Sequence, residues 1–213
     1  MKKFALLAVS VSMCLQIGSP SLADKSASLH PKQSKPGTLV IDEKFADSQL
    51  GKNWSIGKGD WTVSHGAVIG KEKESDHHAA VLSLNHPNRN SVVQFSFMLD
   101  GVKAFHFSLN HPKGHLFRVV VDSKSLVVTK DKDKKDPASK AVQLAKVDSQ
   151  FEPGKWYTMM VEMEGERVDV QTDSGVHAHG SHPELDNDKT GYRFVTTGQA
   201  LSVSDLKVWE LAK

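Results

Sequence analysis

The stretch FEPGKWYTMMVEMEGERVDVQTDSG, residues 151–175, reads as a turn, a strand, a tight turn and a second strand. Pro153-Gly154 is turn chemistry, because proline presets φ and glycine accepts positive φ. Tyr157, Met159, Val161 and Met163 then fall on one face of a strand, and Thr158, Met160, Glu162 and Glu164 on the other. Glu164-Gly165-Glu166 breaks the run, and Val168 and Val170 alternate with Arg167, Asp169 and Gln171 in the return strand. The period of two predicts an amphipathic β-hairpin with one face for a core and one for water. On this reading Glu162 and Glu164 are solvent residues.

The chain to either side carries the same pattern. Strands are expected at Thr38–Phe45, in a hairpin over Asp60–Gly70 with His65-Gly66 at its turn, and at Ala79–Leu84. Further strands are expected at Ser91–Leu99, Ala104–Leu109, Leu116–Val121, Ser125–Thr129, Ala141–Leu144, Tyr192–Thr196 and Leu201–Trp209. In the last of these Leu201 and Val203 share a parity that Leu206 and Val208 do not, which predicts a β-bulge near Ser204-Asp205. The run KDKDKKD at 130–136 reads as a solvated loop. No segment holds a helical period. Many short strands punctuated by turns predict an all-β fold, an antiparallel two-sheet β-sandwich.

The first residues, MKKFALLAVSVSMCLQIGSPSLADK, have the form of a signal peptide: a basic start, an apolar run too short to span a bilayer, and small residues at Ser21 and Ala23. Cleavage is expected after Ala23, giving 1–23 as signal, 24–37 as a Lys/Ser/Pro-rich flexible linker and 38–213 as the sandwich domain. The expected location is periplasmic or extracellular, with no integral membrane segment after cleavage. Cys14 is the sole cysteine. Met13 stands where a lipidation site needs a small residue. Without the signal there is no disulfide, thiol nucleophile or cysteine metal site. Loss of Lys2 and Lys3 lowers the basic count from 27 to 25, equal to the 25 acidic residues. That balance argues against a nucleic-acid partner.

Trp61-Thr-Val-Ser-His-Gly-Ala-Val-Ile-Gly is similar to the W-x-V-x-D/H-G-x-L-x-G opening of concanavalin A-like jelly-roll domains. It resembles in particular the 3-keto-disaccharide hydrolase-type, family-16 glycoside-hydrolase-like domains of secreted bacterial proteins. Pro153-Gly154-Lys155-Trp156-Tyr157 with the Glu164-Gly165-Glu166 turn, and Phe194-Val-Thr-Thr-Gly followed by Leu201–Trp209, resemble two further segments of the same domains. The resemblance covers Leu39–Leu211 and implies a concanavalin A-like jelly roll. The paired-glutamate E-x-D-x-x-E signature of family-16 hydrolases is absent, so activity does not follow from the fold.

Four groups of side chains could carry chemistry. If the three strands from Ser91 to Val121 form a meander, Gln94, Ser96, His106, Ser108 and Arg118 share one face, a donor-acceptor mix suited to sugar hydroxyls or a carboxylate; an ordinary wet sheet face is the plain alternative. Of the 11 histidines, His77-His78 and His177/His179 are candidate ligands for a divalent metal ion, with His177 and His179 on one strand face at i, i+2. Glu162 and Glu164 could form a retaining carboxylate pair at about 5–5.5 Å, or simply face solvent. Trp54, placed in a loop, is the tryptophan best suited to stack on a sugar ring.

The reading that follows is an exported glycan-binding or accessory module with a carbohydrate or small saccharide as partner, bound through Gln94, His106, Ser108 and Arg118 with Trp54 at the rim. A rival is the metal-assisted hydrolase or lyase on a (3-keto) glycoside that the resemblance implies, with His77, His78, His106 or Glu72 in the site. A structural or protein-interaction domain of the cell envelope is the third.

Overall fold

The computed structural model describes residues 29–212. The expected signal peptide, Cys14 and the first part of the expected linker lie outside the described residues. Thirteen strands are present among them. In chain order they are β1 Pro36–Glu43, β2 Trp54–Lys58, β3 Asp60–Ser64, β4 Ala67–Lys71, β5 Ala80–Asn88, β6 Ser91–His111 and β7 Gly114–Val121. They continue with β8 Ser125–Lys130, β9 Val142–Asp148, β10 Trp156–Glu164, β11 Arg167–Thr172, β12 His177–Ser181 and β13 Lys189–Leu211. No helix among the described residues is long and apolar enough to cross a membrane.

Two long strands organise the molecule. β6 and β13 pair antiparallel along nearly their whole length, and this ribbon folds over on itself. The fold-over is built from Gly101 and Gly198, at φ of 69° and 95°, with a register shift between Thr197 and Gly198. A Cβ on Gly198 would stand 2.8 Å from the carbonyl oxygen of Gly101, so the two backbones meet where no side chain fits. Along a straight strand Phe95 and Phe107 would stand about 40 Å apart. Their rings are 5.1 Å apart, and those of Phe97 and Phe105 are 5.0 Å apart. Each aromatic contact of this kind adds about 0.5–1.5 kcal/mol beyond its area burial.

Each half of the ribbon is the centre of one sheet. The first sheet runs β12-β11-β10-β6-β13-β4-β3, with β1 along the end of β13. The second runs β2-β5-β13-β6-β7-β8-β9. Between them lie Phe95, Phe97, Phe105, Phe107, Phe117 and Phe194, all fully buried. The expected all-β, two-sheet antiparallel sandwich is therefore the fold. The expected hairpin is present as β10 and β11, turning at Gly165, with Tyr157, Met159, Val161 and Met163 in the core. The expected bulge is present too: the register shifts between Ser204 and Lys207, and Asp205 takes a φ of 49°.

Several expectations are corrected. Ser91–Leu99 and Ala104–Leu109, expected as two strands, are parts of the single strand β6, with Asp100-Gly101 a bend inside it. Trp54, read as a loop residue, opens the strand β2, while His177 and His179 do lie on a strand, β12. Glu162 is not a solvent residue. It is fully buried, and its carboxylate accepts hydrogen bonds from the backbone N–H groups of Lys32 (2.8 Å), Gln33 (3.0 Å) and Ser34 (2.8 Å). Gln171 donates to the carbonyl of His30 at 2.6 Å, and Ala212 N–H to that of Lys35 at 2.9 Å. The described part of the expected linker is thus a strap laid over the outer face of the first sheet. A polar, proline-containing segment carries no strand period, and it is ordered by a carboxylate about 130 residues away in the chain.

Candidate functional site

The outer face of the second sheet carries no such cover among the described residues. Directly opposed residues on neighbouring strands share a face. One such row crosses all seven strands as Ser55, Ser83, Arg193, Ser108, Arg118, Thr129 and Gln143, and every member is polar. At the usual strand spacing it spans roughly 29 Å. The adjacent row is Val81, Val195, His106, Val120 and Val127 over the five central strands, apolar except for one imidazole, and it ends in Lys58 on β2 and Lys146 on β9. Polar and apolar rows side by side match the two kinds of surface on a sugar ring, its hydroxyl rim and its C–H face.

Over these rows lies a cleft of about 290 Å³ lined by His78, Val81, His106, Ser108, His115, Arg118, Arg193 and Val195. It meets a second hollow of about 350 Å³ that shares Val81 and Arg193 and adds Ser83, Asn85, Asn110 and Thr190. No carboxylate lines either hollow among the described residues.

The two arginines differ. Arg118 is held by Asp131 through Nε (3.0 Å) and Nη2 (2.6 Å), a two-point grip on a carboxylate whose own side chain is 9 % exposed. Arg193 forms no ion pair among the described residues. Burial and the nearby Arg118 charge hold its guanidinium below the usual arginine range. Burial, with Arg118 second, lowers His106; burial likewise lowers His115, with the opposing pull of Asp131 and then the charges of Arg193 and Arg118 behind it. His115 Nδ1 also lies 3.1 Å from Asn110 Oδ1. The cleft therefore holds imidazoles, hydroxyls and one cation with no ion-pair partner among the described residues.

His106, Ser108 and Arg118 come together as expected, and His78 joins them. Gln94 does not. It has the same strand parity as His106, but the fold-over of β6 turns that parity out of opposite sides of the molecule. Gln94 lies beneath the strap with Leu29, Pro31, Met160, Lys207 and Trp209. Ser96 is buried on that same outer face, 3.3 Å from the Thr158 hydroxyl. Trp54 is not a rim residue. It packs inward on Phe45 and Phe194 at 5.5 and 6.4 Å, and its Nε1 donates to Glu43.

His77 takes a left-handed φ of 46° to end the 3-10 turn at Glu74–Asp76 and lines neither hollow. His177 and His179 sit on β12 of the other sheet with rings 6.1 Å apart, and His177 Nε2 is 2.8 Å from Asp169 Oδ2. No group of three or more histidine, cysteine or acidic side chains is placed to hold a metal among the described residues. Glu72 accepts from Gly198 N–H at 2.7 Å and so braces the bend. Glu162 is committed to the strap, and Glu164 pairs with Arg167 at 3.0 Å, so no carboxylate pair forms on the hairpin.

Arg193, His115, Ser83 and Asp131 went unread in the sequence. Arg193 stands between Tyr192 and Phe194, so alternation in the closing strand would have pointed it outward. Asp131 was hidden in the charge run, where Lys130 and Asp131 are buried rather than solvated; Lys130 meets Glu184 at 2.8 Å.

No family model matches the chain, and no curated protein matches it. Solved structures do. The carbohydrate-binding module CBM66 from Bacillus subtilis is similar at a TM-score of 0.59, with 14 % identity over 74 % of this chain and 96 % of that one. A laminarinase from Flavobacterium sp. UMI-01 reaches 0.60, with 11 % identity over 81 % of this chain and 100 % of that one. SCLam, an endo-β-1,3(4)-glucanase of family GH16, also reaches 0.60, with 11 % identity over 84 % of this chain and 95 % of that one. At such identities the likeness is one of fold, and the fold of this chain is the concanavalin A-like jelly roll.

Proposed function

We propose that this protein is an exported saccharide-binding module and that its ligand lies along the outer face of the second sheet. The observation that carries the reading is the unbroken polar row from Ser55 to Gln143, centred on Arg193, Ser108 and Arg118, beside the valine row that contains His106. The structural neighbours named as a carbohydrate-binding module and as glucanases support a saccharide partner. A cleft whose described lining holds no carboxylate favours binding over acid/base cleavage by a carboxylate pair. Residues 1–23 support export.

The test is a glycan array followed by calorimetry on the hits, with product analysis of the same mixtures. Retention without turnover is expected. Ser108→Leu, which places an apolar branch in the middle of the polar row, should abolish retention, and because Ser108 is buried a thermal melt is run beside it to establish that the variant is folded. Retention unchanged by Ser108→Leu would place the ligand elsewhere, and release of product would make the protein an enzyme.

A further inference from the structure

Among the described residues the neighbouring Arg118 has Asp131, whereas Arg193 is a cation without a counter-ion. Its strand neighbours Ser83 and Ser108 offer only hydroxyls. Asp131, the acid paired with the neighbouring Arg118, is taken up by both Nε and Nη2 of that arginine. A partly desolvated guanidinium with no anion costs free energy that a plain structural position would not retain. Arg193 lines both hollows.

Resting on the saccharide reading above, we infer that the ligand of this cleft is an acidic saccharide whose oxyanion group is gripped by Arg193. The chemistry is a planar or tetrahedral oxyanion receiving two parallel N–H bonds. A uronic-acid carboxylate and a sulfate ester both provide it. Arg118, already neutralised by Asp131, sits two strands from Arg193, about 10 Å. It is then a donor to neutral hydroxyls of the same ligand rather than a second anion site. Ser108, directly between the arginines, donates or accepts at the sugar joining the two contacts. His106 and His115 add hydrogen-bonding capacity, and the valine row provides the surface for a ring face.

Three probes of matched length distinguish the possibilities: an oligogalacturonate, a sulfated laminari-oligosaccharide and the unmodified laminari-oligosaccharide. Each is titrated against wild type, Arg193→Lys and Arg193→Met at low and at high salt. At least one acidic probe should bind, more weakly at high salt. Arg193→Met should weaken that binding about tenfold to a hundredfold, and Arg193→Lys should recover only part of it because the fork is lost. Which acidic probe responds identifies the carboxylate or the sulfate. If the neutral probe binds as well as the acidic ones and Arg193→Met changes nothing, the acidic-ligand inference is overturned while saccharide binding stands. If none of the three binds and the wider array is also empty, the saccharide reading itself falls. Thermal melts of both variants establish that they are folded.

Discussion

The outer faces of the two sheets are built from one pair of strands and end in opposite states. On the first sheet Glu162 is a buried carboxylate satisfied by the chain's own backbone, and the strap at residues 29–35 covers what surrounds it. On the second sheet Arg193 is a half-buried cation with no partner among the described residues, and the polar row around it lies open to a cleft. A buried charge whose hydrogen bonds are internal works for stability. One that is half-buried with no ion-pair partner among the described residues does not.

The comparison breaks most directly at Glu162. Glu162→Ala leaves three backbone donors without an acceptor and should cost about 3 kcal/mol, or roughly 6–12 °C in melting temperature. Hydrogen exchange should show the 32–34 amides losing protection while β7 and β8 keep theirs. If those amides stay protected, the strap is held by something other than this carboxylate. Next in size is Asp131→Asn, which leaves Arg118 as uncompensated as Arg193; a loss of about 2 kcal/mol in urea unfolding is expected. A change near zero would mean that solvent already screens the pair.

A smaller effect comes from pH. The folded-state values of His106 and His115 lie below that of a free imidazole, so the unfolded chain takes up protons first as pH falls. Stability from these two groups is fully present above about pH 6.5 and declines as pH falls through that value toward the lowered folded pKa. Unfolding midpoints at pH 7.5 and 5.5 measure it, and His106→Gln combined with His115→Gln should shrink the difference. A difference of the same size in the double variant would assign it to other groups.

The smallest effect has the opposite sign. Arg193→Gln removes an unpaired, partly buried charge, so stability should hold or rise by about 0.5 kcal/mol. Glu162→Ala and Arg193→Gln thus separate a charge that supports the fold from one that does not. A destabilisation by Arg193→Gln comparable to that of Asp131→Asn would show that the arginine is structural after all.

How much of this was legible depends on how far the physics reaches along the chain. Period-two alternation is set by neighbouring residues, so the β10–β11 hairpin, the inward set from Tyr157 to Met163, the bulge at Ser204-Asp205 and the all-β fold could be read directly. The grouping of His106, Ser108 and Arg118 was readable for the same reason, because β6 and β7 are consecutive and antiparallel. Alternation states that a residue faces outward, but not out of which sheet. Gly101 looks the same in sequence whether it closes a hairpin or folds a single strand over, and that difference sent Gln94 to one side of the molecule and His106 to the other. The partners of Glu162, Arg118 and Trp54 were likewise invisible. Glu162 and Trp54 meet residues from distant or non-periodic segments, and Asp131 sits within a charge run that reads as solvent. Sequence alone determined the sheet class, the core-facing set and the local polarity of each strand. Tertiary structure decided which polar face is closed and which is open, because burial and charge compensation depend on whatever segment comes to lie on top, and local periodicity carries no record of that.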